Sequence, residues 1–188
     1  MTIGASFSAV VLAGGVAARL DGADKASIEL DGRTLLTWAL DAVIDASEVV
    51  VVGDPVPTHR PVTFTREDPR HGGPVAALLT GRDVLLDPRG TVAVLACDMP
   101  FLTAHTFRRL REAAIGHDGA VLIGPDGRRQ LAMVLDVDRL DGVRPSIEEQ
   151  HNLALHRLLS SLDLTEVPAE GREHRDVDTW ADVRDLTS

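Results

Sequence analysis

Tyrosine is absent, and all aromatic residues together make up 3% of the 188-residue chain. So few rings leave no platform on which successive bases of a single-stranded nucleic acid could stack. They also leave the core to Val, Leu and Ala. Cysteine is nearly absent too. Cys97 stands alone, so no disulfide can form within the chain, which fits a reducing compartment. Positive charge is scarce: 19 Lys and Arg face 29 Asp and Glu, a net charge of −10. That argues against a broad surface for nucleic acid or anionic membrane. It leaves room for a small polyanion, which needs only a few local cations and usually arrives with Mg²⁺. No apolar run is long enough to span a bilayer, and Met1 to Ser8 carry no basic residue of the kind that opens a signal peptide. The expectation is a cytoplasmic protein without membrane or nucleic-acid partners.

What is present is an alternation of apolar runs and helical spacings over a length that suggests one domain, residues 1–188. Phe7–Leu12 reads as a buried strand. Leu35, Leu36, Ala39, Val43 and Ala46 fall on one side of a helix over Leu35–Asp45. Glu48–Gly53 is a valine run, hence a second buried strand, and Pro61–Thr65 a short third one. Gly73–Leu86 is helical after a Gly-Gly-Pro lead-in. Thr91–Cys97 is the most strand-like stretch, and Thr103 caps a helix to about Ala114. Gly119–Ile123 and Leu131–Val137 are apolar runs split by the turn Pro125-Asp126-Gly127. Ser146-Ile147-Glu148-Glu149 has capping-box spacing before a helix over Leu153–Leu162. Leu164–Pro168 reads as a late strand and Thr179–Leu186 as a closing helix. Such alternation predicts an α/β fold with a mostly parallel sheet and helices on both faces, and ligands in such folds sit beyond the carboxyl ends of the strands.

The chain is organised around its first strand and the loop after it: Leu12-Ala13-Gly14-Gly15, then Arg19, Gly22, Asp24 and Lys25. Glycines let backbone N–H groups approach phosphate oxygens closely. Arg19 offers a fixed fork of donors and Lys25 a point charge. The pattern is neither a Walker loop nor a G-x-G-x-x-G turn. The plainer alternative is a strand-to-helix turn with surface charges.

A second stretch is Cys97-Asp98-Met99-Pro100-Phe101-Leu102. A carboxylate just past a buried strand stands where a ligand belongs, and Asp98 would take Mg²⁺ through one oxygen. The alternative is an Asp that caps the next turn. Cys97 reads as a buried structural thiol rather than a nucleophile. A third stretch runs Glu67-Asp68-Pro69-Arg70-His71-Gly72-Gly73-Pro74-Val75-Ala76, which by itself is also a plain helix start. Near the end, Asp176-Val177-Asp178-Thr179 alternates, so an extended segment puts both carboxylates on one face. Asp178 can then join Asp98 around Mg²⁺; the alternative is a helix N-cap with acidic first-turn residues. Arg128 and Arg129 come after a turn and suit an acceptor phosphate, or simply water. The seven histidines show no zinc-ligand spacing.

The stretch Leu12-Ala13-Gly14-Gly15-x-x-x-Arg19-Leu20-x-Gly22-x-Asp24-Lys25 resembles the nucleotide-binding loop of nucleotidyltransferases, and within them it is most similar to the molybdenum cofactor guanylyltransferases. Cys-Asp-x-Pro-Phe-Leu resembles that family's metal-binding segment. The resemblance implies a Rossmann-like three-layer α/β/α domain of the nucleotide-diphospho-sugar transferase type. It implies Leu12, Ala13, Gly14, Gly15, Lys25, Asp68, Gly73 and Asp98 at the nucleotide, with Asp68 near the ribose. It implies Arg19, Lys25 and Asp98 in catalysis, Mg²⁺ as cofactor on Asp98 and Asp178, and Arg128, Arg129, Asp176 and Asp178 towards the acceptor. The expected reaction moves GMP from GTP to the terminal phosphate of molybdopterin and releases pyrophosphate, with other cofactor-biosynthesis or insertion proteins as further partners. Two departures stand out. The final Gly of the Gly-Pro-x-Ala segment is Ala77 here, and an Asp pair replaces the family's Asn-x-Asn. The alternatives are a related nucleotidyltransferase using CTP or another phosphorylated acceptor, and a non-catalytic paralogue that binds nucleotide or cofactor.

Overall fold

A computed structural model describes residues 6–14, 24–67, 72–87, 89–150 and 153–186. In chain order the elements are β1 (Phe7–Leu12), β2 (Glu29–Leu30), β3 (Arg33–Thr34), α1 (Leu35–Ala42), β4 (Glu48–Val52), β5 (Thr63–Thr65), α2 (Pro74–Val84), β6 (Thr91–Ala96) and α3 (Ala104–Ala113). After these come β7 (Gly119–Ile123), β8 (Arg129–Asp136), α4 (Val137–Gly142), α5 (Ile147–Gln150), α6 (Leu155–Leu159), β9 (Leu164–Pro168) and α7 (Trp180–Leu186). Seven strands form one sheet in the order β5-β4-β1-β6-β8-β7-β9, while β2 and β3 pair as a small separate hairpin. Within the large sheet, β8 runs against both of its neighbours and every other pairing is parallel. The sheet is therefore mostly parallel.

Strand alternation builds both layers of core. Ala9, Val11, Val49, Val51 and Leu95 face one side, against Leu36 and Leu40 of α1 and Phe107 and Leu110 of α3. Val10, Val50, Val52, Val92 and Val94 face the other, against Val75, Leu78 and Leu79 of α2, Leu140 of α4 and Leu158 of α6. Both faces are covered, which is why these strands read as unbroken apolar runs.

The element expectations hold at β1, β4, β6, β7 and β9, with ends shifted by a residue or so. Two differ. The expected helix over Leu153–Leu162 is the short α6, which starts at an Ala154 cap without a side-chain bond. Ser146 and Glu149 form only half of the expected box. The Ser146 N–H and Oγ donate to Glu149 Oε2 at 3.1 and 2.8 Å, among the described residues no Glu149 N–H bond to the hydroxyl completes it, and the helix that follows is the four-residue α5. The hairpin β2–β3 carries too short a pattern to be read. Among the described residues, no helix is long and apolar enough to cross a membrane.

What positions the site is the sheet's carboxyl edge. β4 flanks β1 on one side and β6 on the other, so the chain reverses direction across the sheet at β1. Pairing persists one residue past the strand ends. The Ala13 N–H donates to Val52 O at 2.9 Å, and the Cys97 N–H to Leu12 O at 3.0 Å. Residues 13 and 97 are thus pinned side by side, at the place where such sheets bind ligands.

Candidate active site

A cavity of about 490 Å³ opens at this edge. The end of β1 gives it Leu12, Ala13 and Gly14, and the end of β6 gives Cys97 and Asp98. Gly73 and Pro74 come from the start of α2, and Lys25 also reaches its wall. Gly73 sits at φ +90°, a backbone conformation that suits glycine, and Pro74 then begins the helix.

Lys25 is aimed by local structure. It opens a single 3₁₀ turn, Lys25–Ser27, capped by Asp24, whose Oδ1 accepts from the Ala26 N–H at 3.2 Å. Asp24 Oδ2 accepts from Ser27 Oγ at 2.9 Å, and Ala26 is buried in the core beneath. So Asp24 serves as a cap, and it turns the lysine outward into the cavity. There Lys25 Nζ donates to Asp98 Oδ2 at 2.8 Å and to Asp178 Oδ1 at 2.7 Å.

Asp178 reaches the lysine because Val177 is pinned. The Val177 N–H donates to Asp98 O at 2.9 Å, and its side chain is wholly buried beside Ile28, Leu30 and Leu35. Alternation then turns Asp176 and Asp178 away from the core. Downstream, Asp182 caps α7 by accepting from the Asp178 and Thr179 N–H groups at 3.0 and 2.7 Å. Upstream, the carboxylate of Glu173 is buried. It accepts from Thr106 Oγ1, from Arg109 Nη1 at 3.1 Å and from the Glu170 N–H at 2.7 Å. This ties the 170–178 segment to α3.

The electrostatics arise from these contacts. Burial works against the Lys25 ammonium, but its hydrogen bonds to Asp178 and Asp98 outweigh it and hold the pKa above the ordinary 10.5. Lys25 is a permanent cation here, not a base. Partial burial, and then the charges of Asp178 and Asp98, raise the pKa of Asp176. Two carboxylates therefore share one ammonium, with Asp176 close enough to feel all three charges, and the balance is negative. Lys25 engages one oxygen each of Asp98 and Asp178, and the second oxygens remain. Hard oxygen donors with surplus negative charge suit Mg²⁺, which takes one or two carboxylates and leaves its other positions to phosphate and water. Among the described residues, no group of three or more His, Cys, Asp or Glu forms a metal cage. Burial raises the pKa of the Cys97 thiol, which disfavours the thiolate and agrees with a structural role.

Of the residues singled out from sequence, Leu12, Ala13, Gly14, Lys25, Gly73 and Asp98 line one cavity, and Asp178 is bonded to Lys25. Gly15, Arg19 and Asp68 lie outside the described residues. Arg128 is exposed beside Asp126, 3.6 Å away, and Arg129 pairs with Glu166 at 3.0 Å. Their hairpin stands at the same edge of the sheet, but its contribution to the cavity wall is Leu131. Sequence reasoning missed Glu67 and Glu173. Glu67 lines the cavity, and its Oε2 accepts from the Gly72 N–H at 2.7 Å. Its only signal was the acidic pair Glu67-Asp68 next to the glycines.

Residues 9–167 match the family model described as the MobA-like NTP transferase domain. The chain is 28% identical over 137 residues to a molybdenum cofactor guanylyltransferase of Shewanella loihica; the match covers 68% of this chain and 66%, just under two thirds, of that relative. Among solved structures, it superposes on molybdopterin-guanine dinucleotide biosynthesis protein A of Archaeoglobus fulgidus with a TM-score of 0.73 at 20% identity, covering 96% of each chain. It superposes equally well on 2-C-methyl-D-erythritol 4-phosphate cytidylyltransferase of Thermus thermophilus, with a TM-score of 0.75 at 20% identity and 97% of each chain. The two likenesses establish a shared fold and do not choose a base.

Proposed function

The chain belongs to the MobA-like NTP transferase domain family, and from that premise we propose that it is a guanylyltransferase that moves GMP from GTP to the terminal phosphate of molybdopterin. The observation that carries this reading is the junction of Lys25 with Asp98 and Asp178 at the mouth of the cavity. A fixed cation beside paired carboxylates, over the carboxyl edge of a parallel sheet, suits a metal-bound triphosphate.

In the reaction, an oxygen of the acceptor phosphate forms a bond to the α-phosphorus of GTP. The bond from that phosphorus to the bridging oxygen breaks, and pyrophosphate leaves with the electron pair. No protein nucleophile is needed, because positioning and charge stabilisation suffice. Lys25, and Arg19 by the family resemblance, offset the charge that develops on the α-phosphate and the leaving pyrophosphate. The backbone of Leu12–Gly14 flanks the nucleotide. Asp98 and Asp178 would hold Mg²⁺, which when bound supplies Lewis-acid stabilisation of phosphate oxygens.

One feature favours a second reading of the acceptor. Asp176 and Asp178 stand where the family resemblance has an Asn pair, so a phosphorylated acceptor other than molybdopterin would meet a more acidic wall. The test is pyrophosphate release from Mg²⁺ complexes of GTP, CTP, ATP and UTP, with and without molybdopterin. Release with GTP only when molybdopterin is present supports the reading. Release with CTP alone overturns the choice of base. Binding without release makes the chain a non-catalytic nucleotide binder.

A further inference from the structure

We infer that Glu67 reads the base of the incoming triphosphate and selects guanine, an assignment that rests on the reading of the cavity as a nucleotide pocket. Glu67 lies two residues beyond the end of edge strand β5, and Asp98 two residues beyond the end of β6. In the order β5-β4-β1-β6 these ends are three strand spacings apart, about 14 Å. Both line the same cavity. The Lys25–Asp98–Asp178 end holds the cation, so the phosphates belong there. A second carboxylate at the far end would repel phosphate, and it therefore faces a part of the nucleotide that offers hydrogen-bond donors. Between the two ends the wall carries Leu12, Pro74 and Ala77, apolar surface against which a flat base can lie.

The Glu67 carboxylate is already oriented. Oε2 is anchored by the Gly72 N–H, and Oε1 stands beside Gly14, 3.8 Å from where a Cβ on that glycine would be. A carboxylate only accepts. Guanine presents two adjacent donors, N1–H and the exocyclic 2-amino group, which a carboxylate can accept together. Hypoxanthine has lost the 2-amino donor, and xanthine has a carbonyl in its place. The same anchor fixes what a Glu67→Gln variant would do. The Gly72 N–H requires the amide oxygen, so the amide NH₂ turns towards the cavity. A donor there opposes the 2-amino group of guanine and matches the 2-carbonyl of xanthine.

The experiment is calorimetric binding of the Mg²⁺ complexes of GTP, ITP, XTP and CTP to the wild-type chain and to Glu67→Gln. The wild type should bind GTP about tenfold or more tightly than ITP or XTP, the scale of a hydrogen bond to a charged group. The variant should lose about tenfold or more for GTP and prefer XTP. A gain for XTP is something a merely structural role for Glu67 would not produce. An equal loss for every triphosphate would place Glu67 on the ribose and overturn the inference. So would a variant that keeps the wild-type ranking. If the variant does not fold, the wild type decides alone: ITP bound as tightly as GTP refutes the role. Absence of any triphosphate binding by the wild type is a different result, because it removes the nucleotide pocket itself.

Discussion

Lys25 Nζ donates a 2.8 Å hydrogen bond to Asp98 Oδ2 across 73 residues of sequence. Its second bond goes to Asp178, a further 80 residues along. Three distant segments meet at one ammonium, and each is tied down by backbone contacts rather than by the ion pairs. Asp24 caps the lysine's turn, Cys97 extends the β6 pairing, and Val177 bonds to the Asp98 carbonyl. The side chains at this junction are therefore free for chemistry, and stability and activity should separate on mutation.

Lys25→Met keeps the apolar stem and removes the charge. Triphosphate turnover should fall by roughly 10²- to 10³-fold, the scale for one key electrostatic group. The stability change carries a pH signature. The folded pKa of Lys25 lies above its unfolded value of 10.5, so its contribution is fully present below pH 10.5 and fades as pH rises through the folded value. The gap in unfolding free energy between wild type and variant should be flat from pH 7 to 9. A gap that closes within that window would contradict the pairing, and urea titrations at several pH values measure it.

Asp98→Asn leaves the backbone carbonyl that Val177 uses. It removes the charge that faces Lys25. Activity should drop by about 10²-fold or more, while the melting temperature moves by only a few degrees. A large loss of stability with little loss of specific activity would make Asp98 a structural cap instead.

Two glycines separate fold from function. A Cβ on Gly81 would stand 2.5 Å from Val10 Cγ1 and 2.9 Å from Val52 Cγ2, since α2 lies tight against the sheet there. Gly81→Ala should cost about 1–3 kcal/mol, read as a lower melting temperature, with normal turnover per folded molecule. A Cβ on Gly14 would meet only Val52 O at 3.6 Å and Glu67 Oε1 at 3.8 Å, ordinary contacts. Gly14→Ala should leave the melting temperature nearly unchanged and weaken triphosphate binding, because the added methyl takes ligand space. The reverse pattern in either variant would show that α2 packing or the cavity is misplaced.

Much of this was legible in the chain because local rules and tertiary structure agree. Phe7–Leu12 and Thr91–Ala96 are buried on both faces, so their apolar runs announce central parallel strands. Thr103 announces α3 and does cap it, through the Thr106 N–H. The loop signature led to Lys25 and the strand-end position to Asp98. What could not be read is how the parts meet. The bond from Lys25 to Asp178 depends on Val177 filling a hole beside Leu35, and no local pattern encodes that. Glu170-Gly171-Arg172-Glu173-His174-Arg175 looks like a solvated charged turn, and five of its residues are partly or fully exposed. Glu173 is the exception, because Thr106 and Arg109 on α3 supply partners that only the folded chain brings near.

That exception yields the last prediction. The Glu173 side chain is 8% exposed and Arg109 15%. Without Glu173, Arg109 still has the Glu170 carboxylate at 3.1 Å, while the Thr106 hydroxyl and the Glu170 N–H lose their acceptor. Glu173→Ala should cost about 1–3 kcal/mol, the penalty for donors left without an acceptor, or roughly 2–12 °C in melting temperature for a chain of this size. Glu173→Gln keeps the shape, and its amide oxygen can still accept from Thr106 or Arg109, so it should cost less. The effect should also reach the site. Glu173 closes the turn that leads into Asp176 and Asp178, so a loosened turn lets Asp178 drift from Lys25. Assayed well below its melting temperature, Glu173→Gln should show lower kcat for pyrophosphate release and little change in KM for the triphosphate, because Glu173 does not line the cavity. A variant with unchanged kcat would confine Glu173 to holding the fold, and an unchanged melting temperature would remove it from that role as well.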